Sequence, residues 1–267
     1  PKERLIVLGG GHIALPVCEF ASKCGFEVYV ADDRPAFANA PRFPWAAGVL
    51  CDSFENSIEQ LKITPYDFVV VITRGHRHDA DCLRAILPGK QPAYLGMIGS
   101  KRRVRGLLDM LVEEGYDKEN IERICTPIGL KIGAVTPEEI AVSILSEIIA
   151  YKRLPEKNTG HSRYVNGSDL DLEMIEYLAE NHEPKAVVTV IQAKGSTPRG
   201  AGAKMAVDPR GQVTGSIGGG CSEGAVIRDA VDIIGTGEYK TVFIDMTGEV
   251  AESDGMVCGG VMYALIE

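Results

Sequence analysis

The stretch Leu5-Ile6-Val7-Leu8-Gly9-Gly10-Gly11-His12-Ile13-Ala14 decides the reading of the N-terminal half. Four consecutive apolar residues without alternation suit a strand buried on both faces. Glycines follow at once, and from His12 to Cys24 the apolar residues return at helical spacing. Gly9-x-Gly11-x-x-Ala14 has the order that a strand–turn–helix needs to receive a diphosphate. The first glycine makes the tight turn, the second admits a close backbone approach, and the small third residue lets the helix pack on the strand. The diphosphate would face the N–H groups that open the helix near His12. Asp32-Asp33, just after a second apolar strand, stand at about the distance of a ribose-binding acid. The neighbouring Arg34 keeps NADP open beside NAD, which the acid favours.

Outward from this stretch, short apolar runs alternate with helical patterns as far as residue 153, the signature of βαβ units and a parallel sheet. Strands are expected at Leu5–Leu8, Glu27–Ala31, Gly48–Cys51, Phe68–Ile72 and Ala93–Ile98. Helices are expected at His12–Cys24, Ser53–Leu61, His78–Leu87, Ser100–Glu114 and from Thr136-Pro137-Glu138-Glu139 to Arg153. Residues 154–168 are polar, carry Pro and Gly and lack periodicity, so they read as a linker. Residues 169–267 change pattern. A helix at Asp169–Asn181, a strand at Ala186–Ala193, a turn at Asp208-Pro209-Arg210-Gly211, a helix at Glu223–Ile234 and strands at Lys240–Asp245 and Val261–Ile266 make a smaller unit. The expected class is α/β: an N-terminal Rossmann-type parallel sheet over residues 1–153 plus a smaller C-terminal α/β domain.

Composition narrows the partners. A formal net charge of -9 argues against nucleic acid, whose binding rests on neutralising phosphates. No apolar run approaches the roughly 18–20 residues of a membrane span, and no secretion signal precedes the first strand, so the expectation is a cytoplasmic chain away from the membrane. The 7 cysteines form no C-x-x-C pair and read as reduced thiols. Cys18, Cys24, Cys51 and Cys82 fall in apolar patterns and are expected as small buried hydrophobes.

Ligands of open parallel sheets collect beyond the carboxyl ends of the strands. Two segments there carry chemistry. Thr73-Arg74-Gly75-His76-Arg77-His78-Asp79 suits phosphate binding, proton exchange, metal ligation through His76 and His78, or simply a helix capped by Asp79. Gly99-Ser100-Lys101-Arg102-Arg103 offers Ser100 as N-cap followed by three cations, which oppose the helix macrodipole by some tenths of a kcal/mol. An anion at Ser100 and Lys101 would compensate them, as would side chains reaching into solvent.

In the second half, Lys194-Gly195-Ser196-Thr197-Pro198-Arg199 is a donor-rich loop, with Ser196 and Arg199 as candidate anion contacts. Gly215-Ser216-Ile217-Gly218-Gly219-Gly220-Cys221 sets Cys221 at a helix start, where the dipole favours thiolate. Cys258 stands beside Gly259-Gly260. Such thiolates serve as nucleophiles, sulfur carriers or soft metal ligands.

With both halves read, the chain resembles the XdhC/CoxI family, the xanthine dehydrogenase accessory proteins. The resemblance lies in Gly9–Ala14, Asp32-Asp33-Arg34-Pro35, Thr73-Arg74-Gly75-His76, Gly96–Arg102, Pro127-Ile128-Gly129-Leu130 and Thr136–Ala141. It continues in Lys194–Arg199, Gly215–Cys221 and Cys258-Gly259-Gly260. It implies a maturation factor for molybdenum hydroxylases that holds the molybdenum cofactor, helps it gain its terminal sulfur with a cysteine desulfurase, and assists insertion into the apo-hydroxylase. Cys221 and Cys258 would then touch molybdenum or handle sulfur, with Gly219 and Gly220 beside them and the pterin phosphate or a nucleotide extension near the Gly-rich or Lys101 site. A homodimer is expected. In the family's familiar arrangement the Gly-Ser-Thr-Pro-Arg half comes first, whereas here it comes second, as in accessory proteins of selenium-dependent molybdenum hydroxylases. The rival reading is an NAD(P)-dependent oxidoreductase with His76 or His78 moving the proton. A third is a regulator sensing nicotinamide redox state.

Overall fold

A computed structural model describes residues 3–154, 169–219, 221–246 and 259–267. The chain divides into two compact units, Pro1–Asn166 and Gly167–Glu267. The linker expected over 154–168 lies, from residue 155 onward, outside the described residues.

In the first unit β1 (Arg4–Leu8), β2 (Glu27–Ala31), β3 (Gly48–Leu50), β4 (Phe68–Val71) and β5 (Tyr94–Met97) form a wholly parallel sheet in the order β3-β2-β1-β4-β5. Strand alternation divides its core in two. Leu5 and Val7 face α1 (Ala14–Lys23) and α6 (Pro137–Arg153), packing with Val17, Val28, Val70, Ile144 and Ile148. Ile6 and Leu8 face the side of α2 (Phe54–Leu61), α3 (His76–Ile86), α4 (Lys101–Glu113) and α5 (Lys118–Glu122), with Val69, Val71, Leu83 and Leu111. Burial on both faces is why β1 and β4 read as unbroken apolar runs. Truncating a residue such as Leu111, fully buried, to Ala would cost about 2–5 kcal/mol.

The strand order reverses between β1 and β4, so the loops after them bound the crevice where such sheets take ligands. The α6 helix is fixed by a complete capping box, Thr136 with Glu139, and by Pro137 in its first turn. Cys18 and Cys82 are buried as expected, and burial pushes the Cys18 thiol up to about 11 and Cys82 well above its ordinary value. Cys24 and Cys51 are a correction, since both are exposed. Cys24 ends α1 and Cys51 lies just past the edge strand β3, beyond the shelter of the patterns they continue.

The second unit contains α7 (Leu172–Glu180), β6 (Ala186–Lys194), β7 (Lys204–Val207), β8 (Val213–Gly215), α8 (Cys221–Ile233), β9 (Lys240–Asp245) and β10 (Val261–Ile266). Its sheet is antiparallel, ordered β8-β7-β6-β10-β9. Val226 and Ala230 of α8 pack on Val188, Val190, Met205, Met262 and Ala264. The β7–β8 turn is closed by Asp208, whose carboxylate accepts from Arg210 N and Gln212 N, both at 2.8 Å.

Candidate functional site

The three glycines after β1 divide two jobs between them. Gly9 has φ +114°, and a Cβ there would lie 2.5 Å from the Ile72 carbonyl oxygen after β4. A Cβ on Gly10 would lie 2.3 Å from the Phe37 oxygen. At Gly11 it would meet nothing within 4 Å. The first two glycines close the crevice from inside, whereas Gly11 keeps its mouth open. The helix α1 begins at Ala14 rather than His12, with Gly11 and His12 spent on the turn, and Ile13 caps it with no side-chain hydrogen bond. His12 is exposed.

Asp32 is 1% exposed and its carboxylate is fully engaged. Gly10 N donates to Oδ2 at 2.8 Å, Arg34 N to Oδ1 at 3.1 Å, Arg34 Nε to Oδ1 at 2.8 Å and Arg34 Nη2 to Oδ2 at 2.9 Å. Four donors match the four acceptor sites of a carboxylate, so a ribose hydroxyl would find Asp32 saturated. Burial alone would raise its pKa, but the Arg34 and Gly10 hydrogen bonds outweigh that and hold it below the usual range. Asp33 is engaged too: Arg74 Nη1 and Nη2 reach its two oxygens at 2.5 and 2.9 Å and hold its carboxyl low. The pair joins the loop after β2 to the loop after β4. Arg34 also lies 3.8 Å over the Phe37 ring, and Arg42 Nε donates to Gly10 O at 3.2 Å.

Between β4 and β5, the Thr73 hydroxyl donates to Asp79 Oδ1 at 2.5 Å. Asp79 is buried, which pushes its carboxyl up. His76 Nδ1 lies 3.9 Å from Asp79 Oδ2, while His76 Nε2 accepts from Arg103 Nε at 2.5 Å. The expected capping role of Asp79 is a correction: α3 begins at His76, its N-cap is Gly75, and no side chain caps it. His78 stands against Phe54, with ring centroids 5.6 Å apart, and no metal-binding group of His, Cys, Asp or Glu exists among the described residues. Ser100 takes the N-cap position of α4, but its hydroxyl makes no capping bond.

In the second unit three glycine stretches meet. A Cβ on Gly218 would lie 2.4 Å from Pro198 Cγ. One on Gly195 would lie 2.8 Å from Gly259 O, and one on Gly260 2.6 Å from Ser196 O. The Ser196 loop therefore touches both the glycines before α8 and those before β10. At Gly219 and Gly259 an added Cβ would meet nothing, so these two face open space. Glu223 Oε1 ties the Gly-rich loop to α8, accepting from Ser216 Oγ at 2.8 Å, Ile217 N at 3.0 Å and Gly219 N at 2.9 Å. Arg199 is engaged by Asp169 through Nε at 2.7 Å and Nη2 at 3.1 Å, and Gly200 N donates to the same carboxylate. Cys221 is the first residue of α8. Its side chain, that of Lys101, Gly220 and Cys258 lie outside the described residues.

The XdhC Rossmann domain family matches residues 5–148, over half of the chain. The chain belongs to the XdhC family. A second match, to the XdhC and CoxI family, covers residues 178–245 and follows the Rossmann match, the order read from the sequence. Among relatives, an Escherichia coli protein named "Uncharacterized protein YqeB" is 37% identical over 57% of this chain and 28% of its own length. A Bacillus subtilis protein, named as a probable subunit of xanthine dehydrogenase, is 35% identical over 57% of this chain and 44% of its own. The E. coli molybdenum cofactor insertion chaperone PaoD is 24% identical over 60% and 43%. The chain thus spans less than half the length of these relatives. A solved xanthine dehydrogenase from Bacillus halodurans superposes with TM-score 0.50 at 36% identity, covering 56% of this chain and 42% of that one. No helix among the described residues is long and apolar enough to cross a membrane.

Sequence reasoning passed over Glu223, Asp169, Phe37 and Arg42. Glu223 has a signal, a Glu in the first turn of an expected helix. The other three act across gaps that no local pattern spans.

Proposed function

We propose that this chain is an accessory factor in the maturation of a molybdenum hydroxylase of the xanthine dehydrogenase type, binding the molybdenum cofactor and assisting its sulfuration and insertion. The observation that carries this is the meeting of the Ser196 loop with Gly218 and with Gly259-Gly260. It gathers the two glycine stretches that adjoin Cys221 and Cys258 on one loop, with open space where a Cβ would stand at Gly219 and Gly259. The names of the B. subtilis and PaoD relatives support the same reading.

The cofactor supplies a thiophilic metal and a phosphate. Cys221 and Cys258 are the soft ligands proposed for the first, and Ser196 with the N–H of Gly220 for the second, the Gly219 N–H being held by Glu223. Arg199 contributes by holding its loop to Asp169. In this reading residues 1–153 form a nucleotide or pterin-phosphate domain using Gly9, Gly11, His12, Ala14, Arg74, His76, Ser100 and Lys101, residues 154–168 link it, and residues 169–267 carry the thiols. Asp32 and Asp33 shape the crevice, their carboxylates being held by Arg34 and Arg74. The partners are the apo-hydroxylase, a cysteine desulfurase and a second copy of the chain, in the cytoplasm.

The test is reconstitution. Apo xanthine dehydrogenase is incubated with molybdenum cofactor, a cysteine desulfurase and cysteine, with and without this chain. The expected result is faster recovery of activity with the chain and at least about a tenfold smaller effect with Cys221→Ala. Equal recovery with and without the chain would contradict the proposal.

A further inference from the structure

The Gly-rich turn of the first unit is seated between two loops. A Cβ on Gly10 would lie 3.3 Å from Asp32 Cβ, after β2, and one on Gly9 would lie 2.9 Å from Thr73 Cα, after β4. The next residues of those loops are Asp33 and Arg74, and the two join, Nη1 to Oδ1 at 2.5 Å and Nη2 to Oδ2 at 2.9 Å. Because β2 and β4 are the strands that flank β1, the pair bridges one flank of β1 to the other at the strand ends, where the crevice opens. Gly11, which follows in the turn, has nothing within 4 Å of an added Cβ.

The guanidinium groups around this turn are not alike. Arg34 is spent on the buried Asp32, with its face over the Phe37 ring. Arg42 donates through Nε to Gly10 O and lies against the Phe37 and Phe43 rings. Arg74 is held by a carboxylate in the open, the side chains being 39% exposed for Arg74 and 30% for Asp33. An ion pair so wetted is easily parted, at a cost of about two- to fivefold in the affinity of whatever parts it. Parting does not strand Asp33, because Arg34 Nε stands 3.9 Å from its Oδ1. The guanidinium fork that fits a carboxylate fits a phosphate as well.

We infer that Asp33 and the phosphate ester of the ligand compete for Arg74: the phosphate takes the guanidinium as it enters the crevice, and the displaced carboxylate turns to Arg34. Arg74 is then the group that meets the phosphate, and Asp33 the group that opposes it. A neutral ligand offers Arg74 nothing better than Asp33, so the pair selects for dense negative charge. Asp32 takes no part, since its four acceptor sites are filled. The inference rests on the reading of the first unit as a nucleotide or pterin-phosphate domain and is independent of the thiols of the second.

Calorimetry on the whole chain tests it, with ADP as the nucleotide probe and neopterin monophosphate as the pterin-phosphate probe. A pair that merely ties two loops together predicts the same loss from either partner, whereas competition predicts opposite signs. Asp33→Asn is expected to tighten binding by about two- to fivefold. Arg74→Gln is expected to weaken it at least about tenfold, and the double variant to lose the gain that Asp33→Asn gives alone. Urea unfolding checks that each variant is folded. Opposite signs with either probe support the proposal, and the probe that wild type binds more tightly names the source of the phosphate. Binding by Asp33→Asn equal to or weaker than wild type overturns the competition and leaves the phosphate-binding domain standing. Binding of neither probe by wild type or Asp33→Asn overturns both.

Discussion

Arg34 grips Asp32 with its guanidinium fork, Nε to Oδ1 at 2.8 Å and Nη2 to Oδ2 at 2.9 Å, while Gly10 N completes the carboxylate's shell. The acid thereby ties the Gly-rich turn to the loop after β2. Asp32→Asn turns one acceptor into a donor facing donors and removes the charge, so it is expected to destabilise the first unit by about 2–3 kcal/mol in urea unfolding near neutral pH. The folded pKa of Asp32 is depressed. Its contribution is therefore full above the unfolded value of about 3.9 and is lost as pH falls through the lower folded one. The gap between wild type and variant should close in that acid window; a gap that persists there would contradict this role.

Asp79 has the opposite sign. Burial raises its folded pKa despite the Thr73 hydroxyl bond, so ionising it opposes folding as pH rises above the unfolded value. Asp79→Asn keeps an acceptor for Thr73 and removes the buried charge. Thermal unfolding should show the variant more stable than wild type at pH 7, with the difference shrinking toward about pH 4. A variant less stable at pH 7 would mean that the His76 and Arg103 neighbours govern this carboxylate instead.

Neighbouring glycines should separate structure from ligand. Gly9→Ala sets a Cβ against the Ile72 carbonyl at a positive φ and is expected to cost roughly 2–4 kcal/mol. Gly11→Ala enters open space and should change stability by less than about 0.5 kcal/mol. Its effect should appear in binding of a phosphate-bearing ligand, measured by calorimetry. Equal binding by Gly11→Ala and wild type would remove Gly11 from the ligand's path.

Much of this was legible in the sequence because it is local. The unbroken run Leu5–Leu8, the helical return after it and the Thr136–Glu139 capping box each lie within one element, and the strands Glu27–Ala31, Lys240–Asp245 and Val261–Ile266 have the bounds their patterns give. The site was legible as residue types but not as partners. Asp32 and Asp33 read as acids waiting for a ribose, yet Arg34 and Arg74 hold them, the latter from 41 residues away. Likewise the Gly195, Gly218 and Gly260 stretches announce close approach by composition, but which backbone approaches which depends on the antiparallel sheet order, fixed by long-range pairing. The five-residue helix Lys118–Glu122 is too short for a periodic signal.

In the proposed function the joined glycine loops of the second unit receive the molybdenum cofactor. Equilibrium binding of isolated molybdenum cofactor, with NADH in parallel, tests it most directly on wild type, Cys221→Ala and Gly259→Ala, the last filling space that is open in the structure. Tight cofactor binding by wild type is expected, with at least about a tenfold loss in each variant and unfolding curves unchanged. Tight binding of NADH with no binding of the cofactor would contradict it.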